Sequence, residues 1–320
     1  MLLLHDIPKP PPAIHQVHSP PTTVETRVRV HDKNEPLNKR WLASGFIPAT
    51  SANSGTLLFA SDFDSSSLDG LTPQLPFTKF QWISDFALVL ERITLGFPVL
   101  NYGISGKFVN DPAGSEHRVF RFELNRNDPF VYNSKRSELA LQPVSLEGEY
   151  TYRFSVYLPS SFKADETPES IAQWHDKPDT ELGEGFKIPA LSFESYKGHL
   201  EIKTRWDPNA LTVNDTPGKG GGIYNIDLGP YTTNEWIHFT VHVKWTCHQN
   251  GILEVYKNGI LVMRHIGPTY YNDQTGPYMK FGIYKWDWKE RPQLSHVDQR
   301  VLYMDNIRED EGNTLSNKDN

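Results

Sequence analysis

Three short stretches of this chain hold residue types that do chemistry when brought together. In Tyr278-Met279-Lys280-Phe281-Gly282-Ile283-Tyr284, alternate side chains of a strand share a face. Tyr278, Lys280, Gly282 and Tyr284 therefore point one way, and Met279, Phe281 and Ile283 the other. The first face presents a phenol, an ammonium, a gap and a second phenol over roughly 20 Å, at about 3.3 Å per residue. A glycine in mid-strand often marks the close approach of a ligand, so this face reads as the floor of a cleft. By the same spacing Gln173 and His175 share a face, as do Arg136 and Glu138, with Leu139 and Leu141 opposite. Arg136 can bind a carboxylate bidentately and Gln173 can hydrogen-bond one. An imidazole titrates near pH 6.5, which suits His175 as a base near neutrality. A phenol titrates near pH 10, so Tyr284 is suited to act as an acid; a nearby cation such as Lys280 or Arg136 would let it serve as a base as well. Each stretch alone reads as ordinary scaffold or a plain ion pair. Together they argue for a site.

The set Arg136-x-Glu138, Gln173-x-His175 and Tyr278-x-Lys280-x-Gly282-x-Tyr284 resembles the three signature strands of the jelly-roll polysaccharide lyases, which include alginate lyases, heparin lyase I and glucuronan lyase. The run Tyr-Met-Lys-Phe-Gly-Ile-Tyr-Lys is the most specific of the three. The layout, with Gln-Trp-His about one hundred residues ahead of it, is closer to the heparin lyase I and glucuronan lyase side. Ala140 stands where alginate lyases usually carry a second arginine.

The resemblance spans roughly residues 55 to 310. It implies β-elimination on a 4-linked uronate polymer, with glucuronan ahead of heparin-type polymers and alginate. It also implies catalytic Tyr284, assisted by Gln173 and His175, with Lys280 at the family's Lys-x-x-x-Tyr spacing. Arg136 joins the catalytic set as a partner for the substrate carboxylate. Tyr278 and Glu138 are supporting residues, the glutamate orienting Arg136. Trp206 and Trp286 are candidates for stacking on sugar rings, although tryptophan more commonly packs in a core.

The elements that must position these residues are strands. Aromatic residues make up 12% of 320, with 24 Pro and 22 Gly, and no long helix-period segment is present, which favours an all-β chain. Alternation is clean in 117–124, 148–158, 199–206 and 236–245, and Asn258-Gly259 is a strong hairpin signal within 251–263. This pattern predicts a two-sheet β-jelly roll, a concanavalin-like sandwich with one concave face as the substrate cleft. Residues 1–53, rich in Pro, read as an extended arm, residues 54–310 as the lyase domain and 311–320 as a polar tail. The Gly-rich run 217–222 lacks the Gly-Lys-Ser/Thr ending of a phosphate cradle and reads as a flexible loop or lid.

A diffuse net charge of −7 argues against a nucleic-acid partner. An enzyme of anionic polysaccharides would have to gather its cations in the cleft. Cys247 is the single cysteine, which leaves no intramolecular disulfide. The sequence has no apolar run of about 18 residues, so no membrane partner is expected, and a monomer is. Met1-Leu2-Leu3-Leu4 is interrupted too soon for a secretory signal, whereas the resemblance implies a secreted or periplasmic enzyme. The chemistry requires no cofactor. Asp62, Asp64 and Asp305 could hold a structural Ca2+ where the first and last strands meet, with solvated turn carboxylates as the plainer reading. His238 and His242 share a strand face without a third zinc ligand at suitable spacing. Two other functions compete with a lyase. A glycoside hydrolase lacks its Glu-x-Asp-x-x-Glu strand here. A non-catalytic carbohydrate-binding sandwich module would have no need of a Gln-x-His strand facing a Lys-x-x-x-Tyr strand.

Overall fold

Alternation of apolar and polar residues builds two antiparallel sheets in the computed structural model, which describes residues 55–75, 105–212 and 216–315. The N-terminal arm lies outside the described residues. Eight strands make one sheet: β1 (Thr56–Ser61), β3 (Gly106–Asn110), β4 (Arg118–Asn125), β6 (Glu149–Tyr157), β11 (Trp236–Lys244), β12 (Ile252–Lys257), β13 (Ile260–Ile266) and β15 (Gln299–Glu311). Their order is β13-β12-β11-β6-β15-β4-β3, with β1 paired to β15. The other seven are β2 (Thr72–Gln74), β5 (Arg136–Ala140), β7 (Glu169–Lys177), β8 (Leu191–Tyr196), β9 (His199–Trp206), β10 (Gly222–Pro230) and β14 (Thr275–Tyr284). These run β10-β9-β8-β7-β14-β5-β2. The expected all-β sandwich is therefore present, with a short helix, α1 (Asp287–Glu290), directly after β14 and two 3₁₀ turns, Thr180–Leu182 and Pro292–Leu294, among the described residues.

Inward faces of the two sheets interlock through aromatic rings. Phe281 meets Phe122 at 6.1 Å, Trp174 meets Tyr152 at 5.1 Å and Phe193 meets Phe154 at 5.3 Å, all edge-on. Each such fully buried side chain contributes on the order of 1.5–3 kcal/mol, and the edge-on geometry adds a little more. This packing fixes which face of β5, β7 and β14 looks out. A one-residue slip would exchange Phe281 for Lys280 in the core.

Three details differ from expectation. The last strand continues to Glu311, one residue into what reads as a polar tail, and its Asp310 is buried and paired with Arg308 at 2.6 Å and Arg153 at 3.1 Å. β10, an edge strand not among the stretches read from the sequence, alternates from Gly222 to Leu228 and sets Tyr224, Ile226 and Leu228 against the core. Gly282 answers to the backbone rather than to a ligand. It sits at φ +128°, within a register shift between β14 and β7 from Phe281 to Tyr284, and a Cβ there would overlap the Ser137 carbonyl and come 2.8 Å from the Phe122 ring. Only glycine tolerates that combination.

Candidate active site

The three signature strands are neighbours in the sheet, with β14 between β5 and β7. Register sets the rows. Tyr278 lies opposite His175, Lys280 opposite both Gln173 and Ala140, and Tyr284 opposite Arg136. Side chains separated by up to 148 residues in sequence thus meet on one outward face. Several of them are nonetheless buried, with Glu138, Gln173 and Lys280 each 1% exposed. Polar groups buried this deeply on an outward face lie sunk below its surface, in a recess.

Glu138 is the hub of that recess. One carboxylate oxygen accepts from Gln173 Nε2 at 2.5 Å, while the other accepts from Lys280 Nζ at 2.9 Å and Arg136 at 3.4 Å. Arg136 also donates to Gln74 Oε1 at 3.3 Å. The expected orienting role of Glu138 extends to all three neighbours. Burial pulls the Lys280 ammonium below its ordinary range, against the attraction of Glu138. Arg136 and Lys280 face a single carboxylate, so the cluster holds one surplus positive charge.

The two tyrosines differ. Burial, reinforced by Asp176 and Glu138, pushes the Tyr278 phenol up to about 12, so it stays protonated and keeps its O–H donor at neutral pH. Its ring stacks on His175 with centroids 5.9 Å apart. Tyr284 is half-exposed, with the Arg136 guanidinium 4.4 Å from its ring centroid and Lys280 Nζ at 5.7 Å. Trp286 packs beside it, with ring centroids 5.4 Å apart. Trp206 is not brought here, which corrects its reading as a stacking residue. It shares the face of Leu200 and Ile202 on β9 and stacks on His265 of the opposite sheet at 4.8 Å, because its place in the alternation is an inward one.

Several neighbours escape a reading by motif. Asp176 follows His175 directly, and its Oδ1 lies 2.7 Å from His175 Nδ1. Strand alternation assigns it to the opposite face, which hides it. Lys187 reaches Asp176 at 3.3 Å, Glu184 at 2.5 Å and Asp273 at 2.9 Å. Burial works against that ammonium, but Glu184 and Asp273 hold it above its ordinary value. The same burial pushes Asp273 up to about 7. Phe186, 69% exposed, sets its ring 5.6 Å from that of His175. Tyr132, 73% exposed, stands near enough to Tyr278 to raise it further.

The carboxylates read as Ca2+ ligands differ in what they already bind. Asp64 gives its two oxygens to His117 Nδ1 at 2.8 Å and the Arg118 backbone N–H at 2.7 Å. Asp305 is pushed up to about 7 by burial, with Asp62 and Asp64 adding to the effect, and its Oδ1 is buried without a hydrogen-bond partner. That oxygen suits a hard cation, whereas the Asp64 oxygens are already engaged. Among the described residues, a tighter carboxylate group is Asp179, Glu184 and Asp273, with ligand atoms within 4.8 Å of one another; Lys187 is the cation beside it. His242 binds Glu149 and Glu254, and His238 binds Ser155, so the two imidazoles go to different partners.

With this geometry in hand, likeness to known proteins becomes informative. The fold compares with the endo-β-1,4-glucuronan lyase of the fungus Trichoderma reesei at a TM-score of 0.56 and 15% identity, covering 65% of this chain and 87% of that one. An alginate lyase from marine Zobellia galactanivorans gives 0.44 at 15% identity over 68% and 85%. No match was found among curated proteins. The sequence profile described as polysaccharide lyase matches residues 104–308, a span that holds β5, β7 and β14 entire, and the chain belongs to the polysaccharide lyase family.

Proposed function

We infer that the recess is the active site of a lyase that cleaves a 4-linked uronate polymer by β-elimination, with a glucuronan-like polymer as preferred substrate. The observation that carries this reading is the convergence of Arg136, Gln173, His175, Lys280 and Tyr284 on one recessed face around Glu138. The C5 proton of a uronate is poorly acidic while the adjacent carboxylate is ionised. A surplus positive charge in a partly dry recess lowers that barrier by neutralising the carboxylate and stabilising the enolate-like charge that develops. Arg136 supplies the charge and Gln173 a further donor from its amide nitrogen.

His175 then takes the C5 proton at Nε2. The electron pair forms the C4–C5 double bond, the bond from C4 to the glycosidic oxygen breaks, and the Tyr284 phenol protonates that oxygen. Tyr278, held protonated, remains a donor beside the imidazole. Support for glucuronate comes from the layout of the signature strands, from Ala140 in place of a second arginine, and from the fold shared with a glucuronan lyase. The same reading places the enzyme outside the cytoplasm, where such polymers occur. Among the described residues no helix is long and apolar enough to cross a membrane.

The test is ultraviolet absorbance of the unsaturated product while purified protein is offered glucuronan, alginate, heparin, hyaluronan and pectate in turn. The expected result is a signal strongest on glucuronan, reduced by about 10²–10⁴-fold in Tyr284→Phe. Silence on all five with retained binding to one would favour a carbohydrate-binding module.

A further inference from the structure

The surroundings of His175 are unequal on its two nitrogens. Nδ1 lies 2.7 Å from Asp176 Oδ1 and 3.3 Å from the Asp176 carbonyl oxygen. Both of those atoms are acceptors, so this nitrogen carries the hydrogen and donates. No described contact engages Nε2. The Asp176 carboxylate is fully buried and held from behind: both oxygens accept from the Lys187 backbone N–H at 3.2 Å, and Oδ2 lies 3.3 Å from Lys187 Nζ. Lys187 is in turn fixed by Glu184 at 2.5 Å, by Asp273 at 2.9 Å and by the face of Tyr271, 5.2 Å from its ring centroid. Glu184 accepts from the backbone N–H of Asp179 and of Thr212. On its other sides the imidazole meets the rings of Tyr278 and Phe186.

The geometry points to Asp176 as a positioning residue, clamped by Lys187, that fixes His175 as the Nδ1–H tautomer and so presents the Nε2 lone pair to the substrate. This rests on the reading of His175 as the base. A neutral imidazole has one lone pair, and which nitrogen holds it is set by the hydrogen bond the other makes. With Nδ1 donating to a carboxylate that cannot swing away, the lone pair stays on Nε2. When Nε2 takes the C5 proton, the imidazolium lies against the Asp176 carboxylate, which stabilises it and keeps its own charge. No proton passes to Asp176. The loop from residue 178 to 190 thus has a task at the site although none of its polar side chains touches His175: through Lys187 it holds the aspartate that holds the histidine.

The test reads the tautomer and the kinetics separately. The full chain is labelled with 15N-histidine and the two His175 ring nitrogens are assigned by difference against His175→Gln. In the wild type, at a pH where the ring is neutral, Nδ1 is expected to be protonated and Nε2 not. Asp176→Asn is expected to give a mixture of tautomers, with kcat lowered by about 10²–10⁴-fold and KM nearly unchanged, since Asp176 does not touch substrate. A wild-type spectrum with the proton on Nε2 would overturn the assignment without any variant having to fold. So would a folded Asp176→Asn protein with wild-type tautomer and kcat. If the wild type releases no unsaturated product from any polymer while the tautomer still depends on Asp176, the positioning stands and the lyase role of His175 falls.

Discussion

Lys280 and Lys285 lie five residues apart around the end of one strand. Both are essentially unexposed, and they serve opposite ends. Lys285 sits between Asp165 and Glu169, each at 2.8 Å, with the Thr167 carbonyl oxygen at 3.1 Å; Arg300 binds the same Glu169 oxygen at 2.7 Å. Two cations there meet two carboxylates, and the sum is neutral. Lys280 shares the single carboxylate of Glu138 with Arg136, which leaves one positive charge over. A balanced buried network holds structure together, whereas an unbalanced one in a recess awaits an anion. The balanced network packs under α1 and braces the segment that follows Tyr284. The unbalanced one faces the substrate. Burial alone does not separate a structural charge from a functional one; the local charge balance does.

The sharpest break of this comparison is a pair of substitutions read by urea unfolding and by kinetics. Lys285→Met leaves Glu169 with Arg300 and the buried Asp165 with only the neutral donors of Thr167, Ser295 and His296, and is expected to cost about 3–5 kcal/mol of stability. Lys280→Met leaves Glu138 with Arg136 and Gln173, and is expected to cost roughly 1–3 kcal/mol while raising KM for the uronate polymer. Equal stability losses, or an unchanged KM in Lys280→Met, would undo the distinction.

Between the two lysines lies Gly282, whose bulge sets the register of Tyr284 against β7. Gly282→Ala forces an L-residue to φ +128° and drives a methyl group into the Ser137 carbonyl. The expected cost is roughly 1–3 kcal/mol in thermal or urea unfolding, accompanied by a fall in kcat as Tyr284 shifts. A fully stable alanine variant would contradict the backbone requirement, and a stable variant that loses only activity would return the glycine to the ligand-approach reading.

The smallest effect uses a cation shared by two carboxylates that can be switched off. His242, on the outer face of the eight-stranded sheet, lies between Glu149 and Glu254. Burial lowers its pKa, but the hydrogen bonds to Glu254 and Glu149 outweigh it, and the imidazolium is held above the ordinary histidine range. A raised folded-state pKa contributes stability that is fully present below the unfolded value near 6.5 and is lost as pH rises through the folded value. Wild type should therefore exceed His242→Gln by on the order of 1 kcal/mol near pH 6, and the gap should close toward alkaline pH. A gap that widens with pH would contradict the pairing.

Much of this was legible before any coordinates. Alternation over residues 278–284 assigns Lys280 and Tyr284 to one face and Phe281 to the core, and Phe281 is fully buried against Phe122. Asn258-Gly259 turned where its residue types require, with φ 51° and 75°. Gln173, His175, Arg136 and Glu138 were picked out by residue type and a spacing of two, and the sheet gathers them. Asp176 was missed because alternation places it on the wrong face, and only the end of β7 lets its carboxylate turn back to His175. Trp206 was misjudged because an aromatic side chain suits either face of a strand, and its partner His265 lies 59 residues away on the other sheet.

Period-two patterning is a local property, so the sequence by itself determined which side chains each strand shows to each side, and with them the inventory of acid, base and cations. Strand order and register are long-range. They were decided by the interlocking of the two inner faces, where Phe281 against Phe122 and Trp174 against Tyr152 leave β14 a single neighbourly arrangement between β5 and β7. Charge balance is likewise a sum over residues far apart in the chain. That is why only the tertiary structure could tell Lys280 from Lys285.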